Sequence, residues 1–103
     1  MATIQIAKSA RLDLIEIYKF VSKQSYQNAV MLVKAIKKEV IILQTYPEIG
    51  QIVKEINNPS FRELKLFKYR IIYFIQDDVV SILTIHHSAR LLMNNPHLKD
   101  LFE

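Results

Sequence analysis

The feature that most limits what this chain can fold into is a single change of hydrophobic period. From Ser9 to Leu43 apolar residues recur every three or four positions, whereas from Ile52 to Ile85 they come in short blocks rich in Ile, Val, Tyr and Phe. Helices therefore come first and strands after. Ala10, Leu14, Ile17, Tyr18 and Val21 form the stripe of a first helix ending near Gln24, with Ser9 placed to cap its first turn. Ser25 is placed to cap a second helix whose stripe is Ala29, Leu32, Val33, Ile36, Val40 and Leu43, with Lys34, Lys37, Lys38 and Glu39 largely off it. So short a connection at Ser25 predicts an antiparallel helical hairpin. Ahead of it, Thr3 to Ala7 alternate polar and apolar, as a short half-buried strand does.

Pro47, Glu48, Ile49 and Gly50 end the helical run, because Pro lacks a backbone donor and disfavours a helical residue before it. Strands are predicted over Ile52 to Ile56, Phe61 to Phe67, Tyr69 to Gln76 and Val79 to Ile85, with a loop from Asn57 to Ser60 and a tight turn at Asp77 and Asp78. The last two carry apolar side chains at both parities, so they belong at the centre of a sheet covered on both sides. Ala89 to Met93 begins a short terminal helix, Asn94, Asn95 and Pro96 interrupt it, and Leu98 to Phe102 add a turn. Helices in one run and strands in another predict an α+β fold, with the N-terminal strand and helical hairpin packed on one face of a small, mainly antiparallel sheet. The other face is expected to stay partly open as a shallow groove.

At 103 residues the chain is expected to make a single domain spanning positions 1–103. Half the residues are hydrophobic and none is Cys, so stability has to come from packing rather than disulfides, and no thiolate chemistry is available. The formal charge of +4 suits an anionic partner or simple solubility alike. No run resembles a secretory leader or a membrane span, and the cytoplasm is the expected compartment.

An ordered set of motifs then narrows the reading. Ser9-Ala10-Arg11-Leu12-Asp13-Leu14-Ile15-Glu16-Ile17-Tyr18, Pro47-Glu48-Ile49-Gly50, Arg62-Glu63-Leu64, Tyr69-Arg70-Ile71-Ile72-Tyr73 and Val80 to Arg90 together resemble the RelE/ParE toxin superfamily over nearly the whole chain. The resemblance implies a toxin held inactive by a cognate antitoxin that wraps it with an extended or helical segment. It also implies one of two targets. RelE-like members cut messenger RNA on the ribosome, and ParE-like members inhibit DNA gyrase.

RNA cleavage of the RelE kind needs cations to stabilise a crowded phosphorane and groups to move protons, but no metal or other cofactor. The candidate cations are Arg62, Lys65, Lys68 and Arg70; the candidate proton carriers are Glu63, His86, His87 and Tyr73. Each has a structural alternative. Arg62 and Glu63 could form a surface ion pair. Lys65 and Lys68 could be solvated charges, and Tyr73, like Tyr69, a core aromatic with its hydroxyl at the rim. Arg70 interrupts an apolar strand, so it must open into the groove or meet a carboxylate. If Asp77 and Asp78 make a two-residue turn, Arg70 lies opposite Ile85 and His86 opposite Tyr69, putting His87 on the face of Arg70; a loop one residue different reverses this, and a histidine there could instead only cap or anchor the terminal helix. The catalytic set, if the chain is a nuclease, is therefore Arg62, Lys65, Arg70, His87 and Glu63. The set that binds target or antitoxin is Arg62, Lys65, Lys68, Arg70, His86, His87 and Arg90.

Family comparison favours the binding reading. Ser88 stands about where RelE-like nucleases carry an additional arginine, the tail from Ala89 to Glu103 lacks their tyrosine, and the ending His86 to Arg90 looks ParE-like. The expected function is a ParE-like gyrase inhibitor with an antitoxin partner. The alternatives are a ribosome-dependent messenger RNA endonuclease and a degenerate, non-toxic member.

Overall fold

The computed structural model describes residues 1–102. Its elements are β1 (Thr3–Ile6), α1 (Lys8–Ser22), α2 (Tyr26–Ile42), β2 (Gln51–Ile52), β3 (Phe61–Leu66), β4 (Tyr69–Gln76) and β5 (Val79–His87), then 3₁₀ turns at Leu92–Asn94 and Lys99–Leu101. The strands form one sheet in the order β1-β5-β4-β3-β2, with β1 parallel to β5 and the other pairs antiparallel. This is the predicted α+β architecture. β2 is much shorter than the predicted Ile52 to Ile56 strand, because the chain turns at Lys54 and buries Val53 instead of pairing further. The tail has 3₁₀ turns where a short helix from Ala89 was expected: the chain is still extended at Leu91, with φ −69° and ψ 129°, and between there and Pro96 only one turn fits.

The helical hairpin lies across one face of the sheet. There Ile36, Val40 and Leu43 of the second helix and its C-terminal turn, with Ala10 of the first, pack on Ile71, Tyr73, Val80, Ile82 and Ile85. Each large aliphatic side chain buried this way contributes roughly 1.5–3 kcal/mol. Ser25 caps α2 as its position predicts, accepting from the Asn28 amide at 3.1 Å. Ser9 does not cap α1; its hydroxyl donates to the carbonyl of Leu83 on β5.

The diversion of Ser9 follows from where β1 stops. β1 covers β5 only from Val79 to Ile82, so the edge of β5 beyond it needs other partners. The Ala7 amide donates to the Ile82 carbonyl at 2.9 Å, Ser9 takes the Leu83 carbonyl, and Asp13 Oδ2 accepts from the Ile85 amide at 3.0 Å. Ser9 and Asp13 are four residues apart on a helix and so share a face. Their side chains continue the hydrogen-bond ladder that β1 abandons.

Two two-residue turns organise the antiparallel part. Leu66 pairs with Tyr69 around Phe67 and Lys68, and Gln76 pairs with Val79 around Asp77 and Asp78. Phe67 and Asp77 both adopt φ 54°, the left-handed conformation such turns require. The β4–β5 register then slips, for Ile72 faces Thr84 but Tyr73 faces Ile82, leaving Leu83 as an extra residue in β5.

Candidate functional site

That bulge reverses which histidine accompanies Arg70. Arg70 faces His86, and Tyr69 faces His87, so the expected sharing of a face by His87 and Arg70 does not occur. The prediction had the turn right but lacked the inserted residue, and one residue moves every later side chain to the other face.

Arg70 sits at the centre of an ion network on the face away from the helices. Its guanidinium forks onto Glu55, with Nη1 to Oε2 at 2.8 Å and Nη2 to Oε1 at 3.0 Å, and its Nε and Nη2 also donate to Glu63. Glu63 is buried and Arg70 is mostly so, which strengthens each bond and makes each partner necessary to the others. The Arg70 guanidinium holds the Glu55 carboxyl well below its usual range, at about 2. Hydrogen bonding to Glu55, and further to Glu63, in turn raises the pKa of Arg70. The carboxylate alternative for Arg70 is thus the one realised.

Arg62 lies on the opposite face, paired in register with Tyr73 and apart from Arg70. It does not pair with Glu63. Its Nε donates to the Pro59 carbonyl at 3.0 Å, and its Nη1 donates to the carbonyls of Glu48 and Gly50 at 3.2 and 3.0 Å. The Tyr73 hydroxyl completes this lock, donating to the Pro47 carbonyl at 2.8 Å and accepting from the Gly50 amide at 3.0 Å. Burial pushes the Tyr73 hydroxyl pKa up. A Cβ at position 50 would lie 2.5 Å from the Tyr73 hydroxyl oxygen and 2.6 Å from the Glu63 carbonyl, so this turn admits only glycine without rearrangement. Arg62 and Tyr73 hold the loop after α2 against the sheet.

His86 is 5% exposed and both its ring nitrogens are occupied, Nδ1 lying 2.9 Å from Asn95 Nδ2 and Nε2 3.0 Å from the Arg90 carbonyl. His87 is half-buried; its Nδ1 accepts from the Ala89 amide at 3.1 Å and its ring meets Tyr69 edge-on at 5.4 Å. Lys65, Lys68 and Arg90 are exposed, and none takes part in an ion pair among the described residues. Lys68 and the start of the tail adjoin, the Lys68 carbonyl accepting from the Ser88 amide at 2.7 Å.

The groove expected over this face is largely filled by the protein itself. Leu92 and Leu98 from the tail pack with Val53 and Ile72, flanked by Ile56, Phe61, Leu83 and Phe102. Asp13, Asn95 and His97, which the sequence reading passed over, fasten this cover: His97 Nε2 lies 3.3 Å from Asp13 Oδ1, and the Asn95 amide joins Thr84 to His86. The clearest concavity lies instead on the helix side, a cleft of about 730 Å³ between β1, α1 and α2. Ile6, Leu14, Ile36 and Ile41 line it, with the exposed cations Arg11 and Lys37 at its margin.

These features can be set beside known proteins. A search of curated proteins returned no match. Among solved structures, the chain is similar to one from the chromosomal ParDE toxin–antitoxin system of P. aeruginosa, with TM-score 0.70, 23% identity, and coverage of 84% of this chain and 96% of that one. It is also similar to a chain of the toxin–antitoxin complex RelBE2 from Mycobacterium tuberculosis, with TM-score 0.62, 20% identity and the same coverages of 84% and 96%. Both likenesses are of fold. The sequence model of the ParE toxin of type II toxin–antitoxin systems matches residues 4–92, from within β1 to the first residue of the first 3₁₀ turn. The chain therefore belongs to the ParE toxin family of type II toxin–antitoxin systems.

Proposed function

We propose that this ParE-family chain acts by binding, inhibiting DNA gyrase in the cytoplasm without cleaving RNA, and that a cognate antitoxin restrains it. The observation that carries this reading is the state of Arg70. A cation that stabilises a phosphorane must be free to meet phosphate, and here two carboxylates already occupy the guanidinium. The rest of the candidate nuclease set does not converge. Arg62 is on the other face with three carbonyls on its guanidinium, and His86, the histidine beside Arg70, has both nitrogens committed. Lys65, Lys68 and Arg90 are the exposed cations left to face a target, with Lys68 and Arg90 near His87 at the end of β5.

For the antitoxin, the helix-side cleft replaces the groove expected from sequence. Its apolar lining suits the buried side of an amphipathic segment, and Arg11 and Lys37 suit acidic residues on that segment's flank. The two similar solved chains come from a ParDE toxin–antitoxin system and a RelBE2 toxin–antitoxin complex, which supports a partner of this kind.

Purified chain is expected to inhibit gyrase supercoiling and to lose that inhibition when Lys65, Lys68 and Arg90 are changed to Glu together. Supercoiling untouched at micromolar protein, with ribosome-bound messenger RNA cut instead, would replace this reading by the nuclease one.

A further inference from the structure

We propose that the segment from Arg90 to Leu101 is a strap whose closure over the sheet depends on the protonation state of His86, and that acidification releases it. The inference rests on the direction of a hydrogen-bond chain. The Asp13 carboxylate only accepts, and Oδ2 takes both the Ile85 amide and the Thr84 hydroxyl, so the Thr84 proton is spent there. Thr84 Oγ1 is left to accept, and Asn95 Nδ2 donates to it at 3.2 Å. The Asn95 Oδ1 accepts from the His97 amide at 2.8 Å, and a backbone amide can only donate. Two partners other than His86 therefore fix which way the Asn95 amide points.

His86 has to fit what is left. Asn95 Nδ2 lies 2.9 Å from Nδ1, so Nδ1 accepts; the Arg90 carbonyl lies 3.0 Å from Nε2, so Nε2 carries the proton. A second proton, on Nδ1, sets donor against donor where His86 and Asn95 are both buried. Turning the Asn95 amide over relieves nothing. It orphans the His97 amide and points a carbonyl oxygen at Thr84 Oγ1, whose proton is already given to Asp13.

The charged neighbours bear on this from each side. On β4 Arg70 faces His86, and it is held by Glu63 of β3 and by Glu55 of the turn after β2. Lys65 faces Arg70 from β3. Asp13 of α1 stands beyond Thr84, and within the strap His97 meets Asp13 at 3.3 Å. A protonated His97 binds Asp13 more strongly and so opposes release. Acid adds the proton in both places, and removing the His97 side chain separates the two effects. Release would uncover Ile72, Phe61 and Leu83 beside the Arg70 network, opening the groove that the strap now fills.

Amide hydrogen exchange of the strap, corrected for intrinsic rates, tests this in the full chain at about pH 7.5 and about pH 5.5. The strap is expected to open about tenfold more often at the lower pH, with peptides of α2 changing far less. His97→Gln removes the opposing contact and should enlarge the effect. Asn95→Asp keeps an acceptor for the His97 amide but offers a carboxylate to Nδ1, so its strap should tighten on acidification. PH-independent strap exchange in the unaltered chain would overturn the proposal. So would loss of acid opening in His97→Gln, or acid opening of the usual sign in Asn95→Asp.

Discussion

The two faces of the sheet are held by different physics. On the helix side Ile71, Tyr73, Val80, Ile82 and Ile85 meet Ala10, Ile36, Val40 and Leu43, and the stabilisation comes mainly from apolar area removed from water. On the tail side four buried apolar residues, Val53, Ile72, Leu92 and Leu98, are supplemented by the Arg70 network and the chain from Asp13 to His86. Burial is non-directional and tolerant of small shifts, whereas a buried polar network depends on every member being satisfied. The helix side should therefore set global stability, and the tail side should be the conditional part of the molecule.

Substitutions can break that contrast. The largest effect is expected for Ile82→Ala, at about 4 kcal/mol for a fully buried aliphatic truncated without collapse. It should lower the denaturant midpoint equally by all probes, and a loss confined to the tail would contradict the division. Arg70→Met should cost about 3 kcal/mol by leaving Glu63 buried and uncompensated, and adding Glu63→Gln should recover much of this. If the double variant is no more stable than the single, the network is not coupled. Leu98→Ala should cost about 2 kcal/mol or less, read as faster tail exchange at an almost unchanged global midpoint. The smallest effect is on acid titration. Glu55, ordinarily at 4.5, is held at about 2 in the fold, so its contribution is present above pH 4.5 and is lost as pH falls through about 2. Glu55→Gln should flatten that part of the stability profile; an unchanged profile would show that the ion pair is solvent-screened.

The helical hairpin was legible because two stripes of period 3.6 and the cap at Ser25 all pointed one way. The central strands were legible from their β-branched and aromatic content. Their register was not. Ser81-Ile82-Leu83-Thr84-Ile85-His86 carries apolar residues at both parities, so nothing in the pattern marks Leu83 as the extra residue, and the wrong histidine was set beside Arg70. The demand that Arg70 find a carboxylate was readable from its apolar surroundings, but Glu55 lies fifteen residues away and only the turn at Lys54 brings it close. Asn95 read as a loop residue beside Pro96. A signal for part of the missed network existed in the spacing of Ser9 and Asp13, two hydrogen-bonding side chains one helical turn apart on the helix that follows an edge strand too short for its neighbour.

That spacing also bears on self-association. A sheet margin with unsatisfied amides recruits stray strands from other copies, and proteins at cellular concentration have to blunt such margins. Here β1 offers only the stretch from Thr3 to Ile6, β2 offers Gln51 and Ile52, and the remaining border of β5 is already engaged by Ser9 and Asp13. Removing both side chains would lengthen the recruitable border by about half of β5, turning a loss of three hydrogen bonds into a tendency to form fibrous aggregates.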